Sequence, residues 1–561
     1  MIDPVLVEVL RARLDGIVRE MQQALFRTGY STAVRESHDA SCAMLDAEGQ
    51  VIAQHTVLPL HLGAFPACVQ GVFRHYTRDE LAAGEVFVIN HPYEGGSPHA
   101  LDVAVLAPVR FQGVLVGFAG SIAHKPDIGG SVPGSGSGKA QEIYHEGIHL
   151  PAVRWSPEME RVFAANSRTP ELVSGDVRGQ IGATRLGEHR LLTLLAETGL
   201  EAFGAATQAL AERTLRAVRR AVAGWPDGVY RAEGQIDDDG ITLGHPVTIR
   251  LAVEISGDRI RFDWSGSDPQ TRGPSNIRPP LVRAVCYYCL KALIDPDLPV
   301  NRGIAEAVET VFRPGTILDP RLPAPVSSYM ATAQICTEVV LRALGPVAGA
   351  RRIAESGGTG GIVLGWASGS VQYELFGSAL GARAGLDGVN AIAVHVGNSR
   401  ATPIEILESE FPVRLRRFEL RADSGGTGRW RGGLGIVREY ELLDNARLST
   451  RMDRHTTRPR GLDGGQPGRP GALIVNPGTD MERRLPARSG DVEVRAGDIL
   501  RLERAGGGGM GDPAQRDPAA LEADLLDGYV TPEGAARDYG YRPAEMGARE
   551  RTPLRDKEHR P

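Results

Sequence analysis

The chain is poor in cysteine and lacks any long apolar run, and both absences exclude classes of protein. Its 561 residues include only five cysteines, which are too few and too scattered for a disulfide framework. We therefore expect a reducing, cytoplasmic location. No run approaches the roughly 20 apolar residues that a transmembrane helix needs, so we expect no membrane association. The first residues mix charges into their apolar pattern, which is not typical of a signal peptide.

A strong net charge is also missing, whereas glycine is abundant. The formal charge of −6 argues against a nucleic-acid surface spread over the protein. The hydrophobic share of 42% is ordinary for a soluble globular protein. The 69 glycines and 37 prolines fall in short groups between apolar runs. This pattern indicates many tight turns in a strand-rich, enzyme-like body.

Hydrophobic periodicity predicts a mixed α/β (α+β) fold. An amphipathic helix begins at Asp3-Pro4 and ends near Gly29, and further helices are predicted at 170–197 and 203–223. After Gly224 the pattern changes to strands. We predict four regions: an α/β region at 1–225, a mixed region at 226–369, a mostly β, glycine-rich region at 370–512, and a helical and charged tail at 513–561.

The stretch from Asn90 to Gly130 concentrates the polar residues of greatest interest. Two apolar runs, 102–109 and 114–122, flank a short turn that contains glycine, which predicts an antiparallel hairpin. If the hairpin is centred near Gln112, Asp102 lies opposite Ile122, and His99 comes close to His124. The sequence thus predicts that His99, Asp102 and His124 converge at one end of the hairpin.

Two imidazoles and one carboxylate can bind a divalent transition metal such as Mn, Zn or Fe, and they leave positions open for water or substrate. A hydrogen-bonded pair of histidines, with Asp102 capping a turn, explains the same residues. On these residues alone both interpretations stay open. The amino-terminal α/β region is therefore predicted to hold a metal site.

Further groups near the three residues are candidates for supporting roles. Asp39 is the first choice for a fourth ligand, because a carboxylate would offset the charge of the cation. Asp39 and Asp127 are also the candidates for catalytic groups. Other side chains that could line the site or orient the ligand rings are His38, His61, His91 and Lys125.

Two motifs that first suggest other chemistry do not fit it. The segment 133–140 looks like a phosphate loop, but only three residues separate Gly134 from Gly138, and Ala140 follows the lysine. We interpret it as a flexible active-site loop, with nucleotide binding as the minor alternative, and no cofactor-binding residues are assigned. Cys286 and Cys289 lie in an apolar helix and are predicted to be buried packing residues.

Several longer motifs carry a resemblance to a known family. They are His99-x-x-Asp102-Val103, Ala123-His124 with Asp127-Ile-Gly-Gly130, Glu142–Gly147, Gly175–Gln180, Gly273–Asn276, Asp423–Gly428 with Arg431–Gly433, and Gly506–Gly509 with Gly511–Pro513. With these motifs in this order, nearly the whole chain resembles the B-type component of the hydantoinase/oxoprolinase family. That group includes N-methylhydantoinase, 5-oxoprolinase and the large subunit of acetone carboxylase.

The resemblance implies a hydrolase that acts on carbon–nitrogen bonds in cyclic amides and works as a hetero-oligomer. An A-type partner with an ATP-binding fold of the actin/hexokinase kind would phosphorylate the amide or ketone oxygen of a small-molecule substrate. The B-type component would complete the reaction at its metal, where water attacks an imidate-like carbon. In acetone-carboxylase-like members the metal ligands fall on His99, Asp102 and His124 of this sequence.

The chain departs from the family pattern at three places. His91 stands where the family usually has Asp, Lys125 follows His124 where the family has a second His, and Ser328-Tyr329-Met330 replaces an expected Gly-Asn pair. Two alternatives therefore remain beside the hydrolase. One is a carboxylase subunit, in which a phosphorylated enol meets carbon dioxide or bicarbonate, and the other is a binding or scaffold subunit.

Overall fold

The computed structural model of the chain describes residues 3–55 and 57–541. Of the helical and charged tail predicted at 513–561, residues 542–561 lie outside the described part. The α-helices in the described part are α1 Pro4–Thr28, α2 Thr32–Arg35, α3 His61–His75, α4 Pro157–Ala165, α5 Pro170–Thr198, α6 Leu200–Ala223, α7 Pro279–Ile294, α8 Arg302–Glu306, α9 Tyr329–Ala343, α10 Gly345–Ala348, α11 Ile404–Glu410, α12 Pro518–Leu526 and α13 Pro532–Tyr539.

The strands of the described part belong to four sheets. They are β1 Ala40–Asp46, β2 Val51–Gln54, β3 Phe87–Ile89, β4 Asp102–Phe111, β5 Val114–His124, β6 Val153–Arg154, β7 Gly228–Ile236, β8 Val247–Ser256, β9 Arg259–Asp263, β10 Val308–Val311, β11 Gly360–Trp366, β12 Val371–Phe376, β13 Val413–Leu420, β14 Ile436–Leu442, β15 Ala446–Arg451, β16 Ala472–Val475, β17 Arg483–Leu485, β18 Arg488–Val494 and β19 Ile499–Glu503.

The long helix α1 forms where its sequence predicts it. The side chain of Asp3 caps the helix by accepting a hydrogen bond from the Val5 N–H at 2.9 Å, and Gly29 follows its last residue. Leu10, Leu14 and other residues at three- and four-residue spacing are buried on one face. That face packs with α5 and α6 against the first sheet.

The first sheet has six strands in the order β2-β1-β5-β4-β3-β6, and every neighbouring pair is antiparallel. Alternate residues of β1 enter different cores: Cys42 and Met44 pack toward α1, whereas Ala43 and Leu45 pack toward α3. The sheet is thus covered on both faces, and its polar residues are found mainly at its ends.

The remaining sheets confirm a mixed α/β fold with strand-rich, glycine-rich regions after the first sheet. The second sheet has the order β10-β9-β8-β7 and packs on α7 and α9. The third and fourth have the orders β12-β11-β15-β18 and β13-β14-β19-β16-β17. Their strands interleave along the chain between residues 360 and 503. The four-region division of the chain stays a prediction.

Strand β11 lies in the predicted mixed region at 226–369, in a segment rich in glycine. Because its glycines have no side chain, another segment of the same chain can pack closely against the strand. A Cβ added to Gly365 would lie only 2.1 Å from the Cβ of Pro133. The loop that contains Pro133 is therefore seated directly on the third sheet.

The cysteine and membrane expectations can be compared with the structure. All five cysteines are buried with free thiols, and Cys286 and Cys289 pack inside α7 as predicted. Burial raises the pKa of the Cys286 thiol to about 12. Within residues 3–55 and 57–541, no helix combines the length and the apolar character that crossing a bilayer requires.

Candidate metal centre

Three chain segments bring polar side chains to one end of the first sheet. Strand β4 begins at Asp102, its neighbour β5 ends at His124, and β1, on the other side of β5, begins directly after Asp39. Because both strand pairs are antiparallel, these three points lie side by side at the same end. The His124 N–H donates to the Asp39 carbonyl at 3.0 Å, which extends the ladder by one residue.

The hairpin prediction is right in its strands and wrong in its register. Asp102 pairs with His124 and not with Ile122. The turn consists of Gln112-Gly113 alone, and both residues have positive φ, 51° and 80°, as in a type I′ turn. An extra residue at Val116 shifts the register again. Together the turn and the bulge move the pairing by two residues, which places Asp102 beside His124.

His99, Asp102 and His124 form a compact buried group. His99 Nε2 lies 3.2 Å from Asp102 Oδ2, His124 Nδ1 lies 3.3 Å from Asp102 Oδ1, and the two ring nitrogens are 3.3 Å apart. The side chains are only 5%, 2% and 2% exposed. Across residues 3–55 and 57–541, they are the one set of three His, Cys, Asp or Glu side chains whose ligand atoms all lie within 4.8 Å of one another.

The spacing of this group suits a divalent transition metal. Two ligand atoms at about 2.1 Å from a common ion stand about 3.0 Å apart at a right angle and about 3.4 Å apart at the tetrahedral angle. The observed separations of 3.2 and 3.3 Å lie between these values. They also suit direct hydrogen bonds, so the geometry agrees with both interpretations that the sequence leaves open.

Burial and the contacts inside the group determine its protonation. Burial lowers the pKa of the His124 ring to about 3, so that imidazole is neutral at pH 7. Burial acts to raise the pKa of Asp102, but its contacts with His99 and His124 bring it well below its usual range. A neutral imidazole and an ionised carboxylate are the states in which these side chains bind metals.

Asp39 lies beside the group of three and outside it. Its Oδ2 is 4.0 Å from His124 Nδ1 and accepts a hydrogen bond from the Tyr373 hydroxyl at 3.5 Å. Burial, followed by the negative charge of Asp102, raises the pKa of Asp39 to about 8. The carboxyl is therefore largely protonated at neutral pH when no cation is near. Its roles as fourth ligand and catalytic group stay predictions.

The first turns of two helices supply further polar side chains. Helix α3 begins at His61, whereas the sequence predicts a helix only from about residue 67, and α9 begins at Tyr329, whereas the sequence predicts one from residue 334. The Tyr329 hydroxyl donates to Asp102 Oδ2 at 3.2 Å. The His61 ring is buried, and burial lowers its pKa to about 4, while the negative charge of Asp102 acts in the opposite direction. The predicted role of His61 in lining the site stays a prediction.

Sequence reasoning missed three residues that the other parts of the chain supply. The Tyr373 ring, from β12, stacks on His124 with centroids 4.1 Å apart, and Arg451, at the end of β15, lies over Tyr373 at 5.4 Å. Glu146 Oε1 accepts the backbone N–H groups of Val326 and Ser327, both at 2.8 Å, and so fixes the turn that precedes α9. Tyr373 and Arg451 have no local sequence pattern that separates them from ordinary residues of their types, and Glu146 lies in the motif Glu142–Gly147, which does not by itself reveal this role.

Lys125 follows His124 but faces another direction. Its Nζ donates to Gln180 Oε1 at 2.6 Å and to the Ala123 carbonyl at 3.3 Å, and the side chain is fully buried. Burial lowers the pKa of the ammonium to about 8. Gln180 in turn donates to the Val103 carbonyl at 2.8 Å. Lys125 therefore ties α5 to the sheet behind the centre.

Asp127 orders the loop at 129–138. Its Oδ1 accepts the N–H groups of Gly129 and Arg168 at 2.9 and 2.8 Å. Its Oδ2 accepts the Gly134 N–H at 2.8 Å and pairs with the Arg168 guanidinium at 3.0 Å. Since both oxygens are already used, these contacts favour a structural role over the predicted catalytic one. The segment 133–140, predicted as a flexible active-site loop, has no helix or strand, and most of its residues are buried.

His91 is not brought into the group. Its Nδ1 accepts the backbone N–H groups of Tyr93 and Glu94 at 3.2 and 3.3 Å, which closes a tight turn. Its ring lies 5.3 Å from that of His149. The predicted contribution of His91 to the lining of the site therefore stays a prediction.

Comparison with known proteins identifies relatives that share most of this chain. Residues 3–513 match the family model described as Hydantoinase B/oxoprolinase. The putative B-type subunit of a D-/L-hydantoinase from Pseudomonas sp. (strain NS671) is 32% identical, and the match covers 96% of this chain and 95% of that protein. 5-Oxoprolinase 1 from Arabidopsis thaliana is 31% identical, and the match covers 91% of this chain but 42% of that protein.

Two solved structures share the arrangement of sheets and helices. The ATP-dependent caprolactamase from Pseudomonas jessenii superimposes with a TM-score of 0.88 at 28% identity, over 98% of both chains. A nucleotide-free acetone carboxylase gives a TM-score of 0.86 at 19% identity, over 96% of this chain and 79% of that one. At that identity the second likeness shows the fold alone.

Proposed function

The chain belongs to the hydantoinase B/oxoprolinase family, and from this premise we propose that it is the B-type subunit of an ATP-dependent cyclic-amide hydrolase. The observation that carries the proposal is the buried group of His99, Asp102 and His124, whose spacing suits a divalent transition metal. The names hydantoinase, oxoprolinase and caprolactamase share one substrate chemistry, which is an amide inside a ring.

The proposed partner is an A-type subunit that uses ATP. The hydantoinase relative is itself named as a subunit, and the Arabidopsis 5-oxoprolinase has more than half of its length outside the match. In that relative, the additional length is sufficient for an ATP-using unit on the same chain. Here Gly134–Ala140 departs from phosphate-loop spacing, which favours a separate chain as the site of ATP use.

The proposed chemistry is hydrolysis of an O-phosphorylated cyclic amide. Water adds to the imidate-like carbon, and the C–N bond then breaks as its electron pair and a proton go to nitrogen. The ring opens to an acyl phosphate, which a second water converts to a carboxylate and inorganic phosphate. A divalent metal bound at the centre would lower the pKa of water and stabilise developing negative charge.

The residues of the chain hold this centre in place. The two oxygens of Asp102 orient the rings of His99 and His124, and the Tyr329 hydroxyl fixes one of these oxygens. The Tyr373 ring covers His124 and limits the access of bulk water. The carboxyl of Asp39, whose pKa burial raises to about 8, is suited to exchange a proton near neutral pH.

Metal analysis of the purified chain tests the centre. We expect about one transition-metal ion per chain, and we expect His124→Ala to retain less than about a tenth of it, because one of three ligands is lost. His189→Ala, which changes an exposed histidine on α5, is the matched control and should keep the wild-type content. A correctly folded His124→Ala variant with its full metal content would contradict the proposal.

Reconstitution with the A-type partner tests the reaction. Hydantoin, 5-oxoproline and caprolactam form the first substrate panel, and we expect ATP-dependent ring opening of a cyclic amide without added bicarbonate. A strict bicarbonate requirement would support the carboxylase alternative instead. Metal binding without turnover of either kind of substrate would support a binding or scaffold subunit.

Removing the Tyr329 hydroxyl should weaken the centre while leaving it in place. We expect Tyr329→Phe to lower kcat/KM by roughly tenfold, because one Asp102 oxygen loses its donor, and to change the free energy of unfolding by less than about 1.5 kcal/mol. Tyr76→Phe, at the other end of α3 from His61, is the control and should have wild-type kinetics. Loss of all bound metal in Tyr329→Phe would show that the tyrosine does more than orient Asp102.

A further inference from the structure

Arg451 carries a charge that its surroundings do not pair. Its Nη1 donates to the Ser327 carbonyl at 3.3 Å. Among residues 3–55 and 57–541, no carboxylate oxygen lies within 4.0 Å of its guanidinium, although the side chain is half-buried. The buried arginines Arg438 and Arg454, by contrast, pair with Glu374 and Glu355. A half-buried cation without a carboxylate partner is costly unless an anion comes to it.

The guanidinium lies one aromatic ring away from the metal centre. Its carbon is 5.4 Å from the centroid of Tyr373, and the same ring stacks on His124 at 4.1 Å. The cation is therefore close enough to contact a substituent of a molecule that reacts at the centre.

The turn that Arg451 contacts provides a further polar group. The Ser328 hydroxyl is buried without a hydrogen-bond partner among the described residues, and it directly follows the residue that Arg451 contacts. Glu146 reaches the same turn, where its Oε1 accepts the backbone N–H groups of Val326 and Ser327. The unpartnered hydroxyl is therefore free to donate to a group that Arg451 binds.

The backbone of the loop at 129–138 is shaped around the guanidinium. A Cβ on Gly136 would lie 2.4 Å from the Arg451 Cζ. Only glycine leaves room there for the planar head group to lie against the loop. The position of Arg451 is thus built by three segments: strand β15, this loop, and the turn before α9.

We propose that Arg451, assisted by the Ser328 hydroxyl, is the phosphoryl subsite of the centre. The guanidinium binds the phosphoryl group of the activated substrate, and it then holds the inorganic phosphate that hydrolysis releases. A planar guanidinium can offer two parallel N–H donors to a phosphoryl group, which fits this role. The inference rests on the proposed function, because it assigns the group that the A-type partner would add.

Binding of inorganic phosphate to the metal-loaded chain tests the subsite without any substrate or partner. We expect calorimetry to detect phosphate binding by the wild type and at least a tenfold weaker affinity for Arg451→Gln. Arg447→Gln, which changes an exposed arginine on the same strand that lies near Asp491, is the matched control and should bind as the wild type does. Equal affinity of wild type and Arg451→Gln, or no binding by the wild type, would overturn the subsite.

A second variant, Gly136→Ala, keeps Arg451 but changes the position of its guanidinium. Gly136→Ala should displace the guanidinium and weaken phosphate binding severalfold, whereas Gly182→Ala, on an open face of α5, should not. This pair decides the question if Arg451→Gln does not fold. Metal content separates the two hypotheses: a chain that binds metal but no phosphate refutes the subsite alone, and one that binds phosphate but no metal refutes the metal centre.

Discussion

Replacing Asp102 with asparagine should lower kcat/KM for ATP-dependent ring opening by at least about 10³-fold. The carboxylate contacts His99 and His124 at 3.2 and 3.3 Å and accepts the Tyr329 hydroxyl at 3.2 Å. An asparagine of the same shape has no charge, and its amide can point only one acceptor at these groups. The change therefore removes the proposed metal ligand, its negative charge and the orientation of both rings together.

Three measurements make this prediction specific. The first is kcat/KM with the A-type partner, and the second is metal content at equal protein concentration. The third is rescue by excess metal, which should restore only part of the activity if orientation matters beyond occupancy. Asp263→Asn changes a carboxylate at the end of another strand, β9, and should leave all three unchanged. Activity of Asp102→Asn within about tenfold of the wild type would remove Asp102 from the centre.

Much of the fold and the core of the site could be predicted because their determinants are local. Helix α1 has its cap and its apolar stripe within one stretch of sequence, and both operate as the pattern indicates. The meeting of His99 with His124 needs only two strands and a short turn. The register of the hairpin could not be predicted from the sequence. It depends on the bulge at Val116, which the alternation of apolar residues does not reveal, because the bulge depends on how β5 fits between its neighbouring strands.

The helix starts show where local reasoning fails. Pro66 lies inside α3, so the helix appears from the sequence to begin after it, whereas the structure begins the helix at His61. For α9, the apolar pattern becomes clear only several residues after Tyr329. In both helices the missed first turn carries a residue that interacts with Asp102: the Tyr329 hydroxyl donates a hydrogen bond to it, and its negative charge acts on the pKa of His61. The departure of Ser328-Tyr329-Met330 from the family pattern was the available hint.

Tyr373 and Arg451 could not be predicted for a different reason. Both come from the third sheet, more than 200 residues from the hairpin, and a single tyrosine or arginine in a strand has no distinguishing pattern. Their role depends on how the third sheet packs on the end of the first. Contacts of this kind follow from tertiary packing, which the sequence specifies only through the whole fold.

Replacing Lys125 with methionine should remove a rise in the free energy of unfolding that the wild type shows between pH 8 and pH 10.5. Lys125 is fully buried, and burial lowers the pKa of its ammonium from 10.5 to about 8. The unfolded chain keeps the ordinary value. Below pH 8 both states bind the proton, so the wild type carries the whole cost of burying the charge, about 3 kcal/mol for this difference in pKa.

The sign of the effect follows from proton binding. Between pH 8 and 10.5 the unfolded state binds more protons than the folded state, so the contribution of Lys125 to the free energy of unfolding rises with pH. The Lys125→Met variant lacks this rise. The hydrogen-bond acceptor that it leaves on Gln180 carries no charge and does not titrate, so its cost is the same at every pH.

The difference in unfolding free energy between Lys125→Met and the wild type should therefore fall by about 2–3 kcal/mol from pH 7 to pH 10. Denaturant titrations at both pH values measure it, with a chelator present so that no bound cation adds to the field at Lys125. Lys139→Met, which replaces an exposed lysine, should show no such change. If the difference for Lys125→Met is the same at both pH values, burying the ammonium has no net cost, because Gln180 and the nearby carboxylates then compensate its charge completely.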